Sequence, residues 1–415
     1  MITKINKCRI CNNTKLILVV DVGVQYLTGI FPKNNETATL TKGPLRLVKC
    51  HDGDDCCGLL QLENSYDLNE LYGANYGYRS GLNVSMVRHL HAKVADIIER
   101  CDLVKGDLVI DIGSNDGTTL AAYPDHLQLV GIDPTGEIFR SYYEKHIELI
   151  PEFFSSDLVA HKYAGKNAKV VTSFSMFYDL EDPVDFACQI ADILDPDEGI
   201  WVLEQSYMPL MLERMAYDTI CHEHLEYYGL RQIKWIMDKT GLKVVDVEIN
   251  DVNGGSFSVV VACKGSKHAD VDSVVDRLIA FENRKDLSRF DPYRKFAIGV
   301  EANRKSLQDF IQKVKREGKR TCGLGASTKG NVLLQYCGFG PGDIEVIGDV
   351  NEDKHGAFTP GTWIPIEAEE KVLAEKPDYL IVLPWHFKDF FLSSPKFRRR
   401  NLVFPLPTLE IICSA

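Results

Sequence analysis

Two apolar stretches, each ending in an acid and about twenty residues apart, constrain the fold of this chain most. Residues 108–112 read Leu-Val-Ile-Asp-Ile and run into Gly113-Ser-Asn-Asp-Gly117, and residues 127–133 read Leu-Gln-Leu-Val-Gly-Ile-Asp. An apolar run followed by a glycine turn is typical of a buried strand that leads into a helix. In a doubly wound sheet, two such strand ends lie side by side at the switch point where ligands bind. The sequence therefore predicts an open α/β sheet that holds a nucleoside between Asp111 and Asp133.

The glycine turn differs from the fingerprint of dinucleotide-binding sheets. It lacks the pattern G-x-G-x-x-G, and Asp111 at its start would repel a pyrophosphate. The order D-x-G-x-x-x-G, followed by a second strand that ends in an acid, resembles the S-adenosylmethionine (AdoMet) methyltransferases. The resemblance implies that the turn approaches the methionine part of AdoMet and that Asp133 binds the ribose. The predicted AdoMet-binding residues are Asp111, Gly113, Ser114, Asn115, Gly117, Asp133, Pro134, Phe174 and Ser175.

Length and charge limit the class of protein. The chain has 415 residues, too many for one ordinary core, so two or three domains are expected. The formal net charge of −12 disfavours nucleic acid as a partner, because phosphate binding relies on patches of Lys and Arg. No apolar run reaches the ~18 residues that span a bilayer, and the first residues lack the apolar core of a signal peptide. We therefore expect a cytoplasmic monomer or small homo-oligomer without a membrane or nucleic-acid partner.

Cysteines near the beginning of the chain predict a metal site. Cys8-Arg-Ile-Cys11 has the spacing of a zinc knuckle, and further cysteines follow about forty residues later. Two cysteine pairs on two turns give a tetrahedral thiolate site that stabilises a segment too small for its own core. The second pair is irregular, so Cys56 and His51 are further candidates, and free thiols are the alternative. The predicted ligands of a structural Zn²⁺ are Cys8, Cys11, Cys50 and Cys57.

An aromatic connector over residues 66–90 precedes the predicted AdoMet-binding sheet. It contains Tyr72-Gly-Ala-Asn-Tyr-Gly-Tyr-Arg-Ser-Gly81, in which glycines alternate with tyrosines. This pattern suits a loop that presents phenols and a guanidinium to a ligand, although packing under a loop accounts for any single tyrosine equally well. The predicted substrate contacts here are Tyr76, Tyr78 and Arg79. A helix is expected over residues 83–101, where apolar residues recur at helical spacing.

A second glycine turn predicts another α/β unit near the C-terminus. Residues 320–331 again combine a strand, a glycine turn and the start of a helix, and residues 344–349 form a strand that ends in an acid. An anion site at the helix N-terminus would use Ser327, Lys329 and Asn331. The sequence thus predicts an α/β protein of three domains. These are a zinc-binding domain (1–65), an AdoMet-binding domain (66–265) and a Rossmann-like substrate-binding domain (266–415).

The densest cluster of proton-transfer groups is Asp218-Thr-Ile-Cys-His-Glu-His-Leu-Glu-Tyr-Tyr228. His222, Glu223 and His224 are consecutive, and in an extended segment the two imidazoles point the same way. An imidazole with a pKa near neutrality is the usual base for removing a proton. A metal site and a purely structural cluster are the alternatives, but no third ligand of matching spacing stands out.

Together these motifs resemble the three-domain sugar C-methyltransferases of branched-chain deoxysugar biosynthesis, which act on nucleotide-linked keto sugars. The resemblance covers nearly the whole chain. It implies that the carbon next to the ketone of a 4-keto deoxysugar is deprotonated and methylated, with C-3 favoured. The motifs that carry it are the glycine turn, Cys57-Gly-Leu-Leu-Gln-Leu62, Tyr78-Arg-Ser80, His222-Glu-His224, Gly325-Ala-Ser-Thr-Lys-Gly-Asn331, and Asp349 with Pro360-Gly-Thr-Trp-Ile-Pro365.

The resemblance also implies roles for single residues. His224 would be the base, assisted by Glu223 and His222. The chain departs from the family at Cys221, where a tyrosine is usual, and in Ser175-Met-Phe-Tyr178, where many members have a histidine. Tyr178 would then donate to the enolate oxygen. The alternative functions are an O- or N-methyltransferase, in which the same base deprotonates a hydroxyl, and a binding protein without turnover.

Overall fold

The computed structural model describes residues 2–33, 40–51, 53, 55–72, 78–269 and 272–413. Tyr76, one of the predicted substrate contacts, lies outside the described residues. Within these ranges, none of the helices has both the length and the apolar character that crossing a bilayer requires.

A small antiparallel sheet forms the N-terminal part of the molecule. Strands β2, β3 and β4 pair antiparallel in that order, and β1 pairs separately with β5. Leu45 and Leu47 of β3 are completely buried, and Cys50 ends the same strand. The strands are β1 (Thr3–Lys4), β2 (Leu16–Tyr26), β3 (Lys42–Cys50), β4 (Leu60–Leu62) and β5 (Asn64–Ser65).

Two helices connect this sheet to the next one: α1 (Leu68–Leu71) and α2 (Val84–Arg100). The side chain of Asn83 caps α2 by accepting from the backbone N–H groups of Ser85 and Met86, which is the usual role of asparagine at this position. Leu90, Val94 and Ile97 are buried, and their spacing of three and four residues places them on one face. The predicted helix over 83–101 agrees with α2 to within one residue.

The central sheet has seven strands in the order β12-β13-β10-β9-β6-β7-β8. The five strands from β10 to β8 are parallel, and β13 and β12 are antiparallel to their neighbours. The elements are β6 (Leu108–Ile112), β7 (Gln128–Ile132), α3 (Gly136–Phe139), β8 (Ile147–Ile150), α4 (Ser156–Lys162), β9 (Ala168–Phe174), α5 (Pro183–Ile193), β10 (Ile200–Ser206), α6 (Met208–Glu213), β11 (Glu226–Tyr227), α7 (Leu230–Lys239), β12 (Leu242–Asn250) and β13 (Ser256–Cys263).

Strand β6 lies inside this sheet and is buried on both faces. Ile110 and Ile112 contribute to one hydrophobic core, and Val109 contributes to the other. Burial on both faces is the reason that parallel strands read as continuous apolar runs. The predicted open α/β sheet is therefore confirmed.

Strand β11 lies far along the sequence but belongs to the N-terminal sheet. Glu226 pairs with Gln61 and Tyr227 pairs with Leu60, both in antiparallel register with β4. A two-residue strand has no periodicity that a sequence could reveal. Strand β11, which comes from beyond the predicted domain boundary at residue 65, therefore joins the sheet on the other side of that boundary. The boundary itself stays a prediction.

The C-terminal sheet has six strands in the order β16-β15-β14-β17-β18-β19, all parallel except β19. Two helices, α8 and α9, precede this sheet in the chain. The elements are α8 (Asp272–Arg284), α9 (Asp291–Arg316), β14 (Thr321–Leu324), α10 (Thr328–Cys337), β15 (Ile347–Asp349), β16 (Ile366–Ala368), α11 (Glu369–Ala374), β17 (Tyr379–Val382), α12 (Lys388–Ser393), β18 (Asn401–Phe404) and β19 (Glu410–Cys413).

The N-terminal and C-terminal sheets share one hydrophobic core. This core joins Leu45 of β3, Tyr217 of the segment between α6 and β11, Phe296 of α9 and Leu324 of β14. The C-terminal sheet is therefore packed against the other two parts of the molecule through apolar side chains.

Candidate active site and metal centre

A cavity of about 220 Å³ lies at the carboxyl ends of β6, β7 and β9. All of the residues predicted to bind AdoMet line it, with the exception of Gly117. Gly117 has a φ of 77°, and a Cβ atom there would lie 3.1 Å from the Tyr143 ring. Gly117 therefore allows the turn to close against Tyr143 and does not face the cavity.

The two acids at the strand ends are held by hydrogen bonds. Asp133 accepts from the backbone N–H of Asn115 at 2.7 Å and from both the N–H and the hydroxyl of Thr135 at 2.6 Å. Asp111 accepts from the Thr172 hydroxyl at 2.6 Å. Burial raises the pKa of Asp111 to about 7. The two carboxyl groups thus have fixed orientations on either side of the glycine turn.

The segment from Tyr78 to Gly81 is fastened across this turn. The Asn115 side chain accepts from the Ser80 N–H at 2.9 Å and donates to the Tyr78 carbonyl at 3.1 Å. Asp116 accepts from the Gly81 N–H at 2.9 Å. Tyr78 lines the cavity and is 49% exposed. The structure therefore brings this predicted substrate contact next to the predicted AdoMet site.

Arg79, another predicted substrate contact, has a different place. Its guanidinium lies 4.0 Å from the centre of the Tyr142 ring. This is a cation–π contact, which arginine makes more often than lysine. Arg79 is not among the residues that line the cavity. Its contact with substrate stays a prediction.

Several cavity residues were missed by the sequence reasoning. Phe153 and Phe154 follow β8, and the Phe154 ring lies 5.1 Å from that of Phe186. Asp179 lines the cavity as well, and its Oδ2 accepts from the Tyr72 hydroxyl at 2.6 Å. The signal in the sequence was their position just after a strand of the same sheet, since strand ends of a parallel sheet meet at one edge.

The ring of His224 is held in one orientation by a hydrogen bond to the main chain. Its Nδ1 lies 2.9 Å from the carbonyl oxygen of Thr219, so Nδ1 carries the proton and donates. This leaves the lone pair on Nε2. Its ring lies 4.3 Å from the ring of Tyr178. Burial, and then the charge of Lys329, lower the pKa of His224 to about 3. His224 is therefore a neutral imidazole at physiological pH.

His222 has different surroundings from His224. The chain bends at residues 222 and 223, so the segment is not extended, and the expected common direction of the two imidazoles is not seen. His222 is completely buried and packs against Tyr66, with 4.7 Å between the ring centres. Burial lowers the pKa of His222 to about 4. His222 is thus placed as a core residue.

Glu223 approaches the N-terminal part of the chain. A Cβ atom on Gly29 would lie 2.8 Å from Oε1 of Glu223, so only glycine leaves room for this carboxyl group. Burial raises the pKa of Glu223. Glu223 and Asp179 are close enough for the Glu223 charge to raise the pKa of Asp179. The catalytic roles predicted for His222 and Glu223 stay predictions.

The three residues of the predicted anion site have different partners. Ser327 caps α10, because its hydroxyl accepts from the Gly330 N–H at 3.0 Å. Asn331 is completely buried and donates to the Thr28 carbonyl at 2.7 Å. Lys329 donates to the Asn253 carbonyl at 2.6 Å. Its charge lowers the pKa of His224, so Lys329 is the member of the three that reaches the candidate catalytic site.

The C-terminal sheet contributes two further side chains that the sequence reasoning missed. Trp385 donates from Nε1 to Oδ2 of Asp218 at 2.8 Å. Burial, and then Lys329, lower the pKa of His386 to about 3. Both residues follow strand β17, and their position at a strand end was the available signal. They bring the C-terminal sheet to the segment that contains His224.

The four predicted zinc ligands form one cluster. The sulfur atoms of Cys8, Cys11, Cys50 and Cys57 all lie within 4.8 Å of one another, and Cys56 does not belong to this group. The Sγ atoms of Cys8 and Cys57 are 3.5 Å apart, and those of Cys11 and Cys50 are 3.4 Å apart. Tetrahedral zinc with Zn–S bonds of about 2.3 Å needs sulfur atoms about 3.8 Å apart. The cluster therefore fits a structural Zn²⁺.

Three family models match successive parts of the chain. A zinc binding domain model matches residues 8–72, a methyltransferase domain model matches residues 86–247, and a C-methyltransferase C-terminal domain model matches residues 251–407. The C-methyltransferase NovU of Streptomyces niveus is 29% identical over 419 residues, which cover 99% of this chain and 98% of that protein.

Solved structures resemble part of the chain. A complex of the Haloferax volcanii Trm112 methyltransferase activator with a methyltransferase has 18% identity and a TM-score of 0.35, and covers 42% of this chain and 90% of that chain. An AdoMet-dependent methyltransferase of Clostridium acetobutylicum has 12% identity and a TM-score of 0.33, and covers 43% of this chain and 92% of that chain. At these scores the likenesses add no argument.

The cysteine cluster gives a first testable prediction. We expect Cys57→Ser to lose the zinc that the wild-type protein holds, because the substitution removes one of four thiolates. Cys56→Ser is the matched control and should keep it. Metal content of freshly purified protein, measured by elemental analysis, checks this. Zinc retained by Cys57→Ser and lost by Cys56→Ser would reverse the ligand assignment.

Burial of His222 predicts acid sensitivity. Because the pKa of His222 is about 4 in the folded protein and about 6.5 when unfolded, folding excludes its proton. The folded protein therefore keeps this stabilisation in full above pH 6.5. It loses stability as the pH falls toward 4, because the unfolded chain then binds a proton that the folded chain excludes. Between roughly pH 7.5 and pH 5 we expect the wild type to lose about 2 kcal/mol more unfolding free energy than His222→Asn. Urea unfolding measures this difference, with the surface variant His126→Asn as control. Equal losses of unfolding free energy in the wild type and in His222→Asn would refute the burial of His222 as a neutral side chain.

Proposed function

We propose that this chain, which is an AdoMet-dependent methyltransferase with a structural zinc domain, methylates the carbon next to the ketone of a nucleotide-linked 4-keto deoxysugar, with C-3 favoured. The full-length similarity to a C-methyltransferase and the model of a C-methyltransferase C-terminal domain support transfer to carbon. The observation that carries the proposal is the orientation of His224.

His224 is suited to remove a proton. Its Nδ1 donates to the Thr219 carbonyl, so the lone pair of Nε2 is the available base. Tyr178, whose ring packs against His224, lies in the sequence between two residues that line the AdoMet cavity, Met176 and Asp179. This packing supports a base close to the place where the methyl group is supplied, as general base catalysis requires.

The ketone makes this proton removable. Loss of the proton to Nε2 of His224 leaves an enolate, whose charge lies partly on the oxygen of the former ketone. We assign Tyr178 as the donor to that oxygen, a role that lowers the free energy of the developing charge. AdoMet supplies the methyl group: the new bond joins it to the sugar carbon, the bond to sulfur breaks, and S-adenosylhomocysteine leaves. The proton passes from His224 to solvent afterwards.

The substrate is proposed to lie between the central and C-terminal sheets. Lys329, from helix α10, offers a positive charge that acts on His224, and a sugar nucleotide carries a negatively charged diphosphate. Neutralising the ammonium would raise the pKa of His224 and make it a stronger base once substrate is bound. Tyr78 would contact the sugar from the cofactor side. Cytoplasmic location and the domain boundaries at 65 and 265 are part of the same proposal.

Proton exchange tests the assignment of the base. The wild type, incubated with dTDP-4-keto-6-deoxyglucose and S-adenosylhomocysteine in deuterated water, should exchange the proton at C-3. We expect His224→Asn to slow this exchange by about a hundredfold or more, while AdoMet affinity stays within about twofold. His268→Asn is the control for replacing an imidazole elsewhere. NMR of the sugar follows the exchange, and undiminished exchange in His224→Asn would exclude this residue as the base.

The charge of Lys329 predicts a shift of the pH profile. Because the ammonium lowers the pKa of His224, Lys329→Met should raise it. His224 would then become protonated, and the base would be lost, at higher pH than in the wild type. We expect the acidic limb of the kcat/KM profile to move upward in Lys329→Met, and not in the surface control Lys319→Met. An unchanged acidic limb would contradict the placement of Lys329 beside the base.

A further inference from the structure

Asp179 is a carboxyl group whose surroundings leave part of its bonding capacity unused. It follows β9, lines the AdoMet cavity, and its Oδ2 accepts from the Tyr72 hydroxyl. Its Oδ1 is out of reach of solvent and has no hydrogen-bond partner among the residues that the structure describes. A buried acceptor without a partner costs free energy. A ligand that supplies a donor or a positive charge there would remove this cost.

The charge of the cavity lining points to the kind of ligand. Over the part of the chain that the structure describes, the lining contains Asp111, Asp133, Asp179 and Glu181, and contains no lysine or arginine. AdoMet carries two positive charges, on the sulfonium and the α-ammonium, and one negative carboxylate. An acidic lining is therefore complementary to the net positive charge of the cofactor.

The other acids of the lining have hydrogen-bond partners on the protein. Asp111 accepts from Thr172, and Asp133 accepts from Asn115 and Thr135. Glu181 accepts from the Ser65 hydroxyl at 2.7 Å and lies 3.6 Å from the Arg9 guanidinium. Asp179 differs from Glu181 because the described residues show no cation beside it. Of these four acids, Asp179 is the one with a buried carboxylate oxygen that has no hydrogen-bond partner among the described residues.

We propose that the carboxylate of Asp179 binds the cationic methionine end of AdoMet, with Tyr72 holding the carboxylate in position. Gly113 of the glycine turn and Met176 line the same cavity as Asp179. The methionine part of AdoMet is expected beside this turn, so its cationic end would lie on the side of the cavity that contains Asp179. Burial raises the pKa of Asp179 well above its ordinary value, and a bound cation would favour the charged form. The inference rests on AdoMet as cofactor and does not depend on the methyl acceptor.

Binding measurements with three ligands test this assignment without any sugar substrate. AdoMet has both positive charges, S-adenosylhomocysteine has only the ammonium, and 5′-methylthioadenosine has neither. We expect Asp179→Asn to raise the Kd of AdoMet by about tenfold or more and that of methylthioadenosine by less than about twofold. Isothermal calorimetry measures each Kd. If S-adenosylhomocysteine is weakened as much as AdoMet, the ammonium is the partner; if it is weakened less, the sulfonium is.

Asp182→Asn is the matched control, because it makes the same Asp-to-Asn replacement three residues along the chain, at an exposed side chain that does not line the cavity and whose capping of α5 an asparagine keeps. It should change the Kd of AdoMet by less than about twofold. If Asp179→Asn does not fold, Asp179→Ser, which keeps an acceptor for Tyr72, gives the same comparison. The proposal is overturned if AdoMet affinity is unchanged in the variant, or if methylthioadenosine is weakened as much as AdoMet. Failure of sugar turnover alone would leave this binding result intact.

Discussion

The short segment from Tyr217 to Tyr228 is the constraint on which the rest of the structure depends, because all three sheets bond to it. Its strand β11 pairs with β4 of the N-terminal sheet, and the Leu225 N–H donates at 2.8 Å to the carbonyl of Tyr178, which follows β9 of the central sheet. Asp218 accepts from Trp385 of the C-terminal sheet. These bonds fix the backbone that carries His224. A catalytic group held on such a support loses little conformational freedom when substrate binds.

Charge divides the proposed site into two halves. The AdoMet cavity is acidic among its described residues, which suits a cofactor with net positive charge. Lys329, which does not line this cavity, is the cation whose charge lowers the pKa of His224, and this charge suits an anionic sugar nucleotide. Burial keeps His224 neutral between these halves. The arrangement gives a base that is unprotonated in the free protein and becomes stronger when an anion neutralises Lys329.

The fold and the two cofactors followed from the sequence because their signals are local. A glycine turn after an apolar run, an acid at the next strand end, and a C-x-x-C knuckle each lie within a few residues. The choice of Cys57 over Cys56, the burial of His222 against Tyr66, and the use of Asn331 to hold Thr28 depend on distant parts of the chain. No local pattern encodes which neighbour a side chain meets after the sheets pack, so these features needed the structure.

The central question is which atom receives the methyl group: a carbon, a hydroxyl oxygen or an amine nitrogen. The most direct measurement is NMR of the product formed from 4-keto sugar nucleotide and AdoMet labelled with ¹³C in its methyl group. We expect the labelled methyl to be bonded to the ring carbon next to the ketone, and we expect His224→Asn to form no such product. A labelled methyl bonded to oxygen or nitrogen would contradict it.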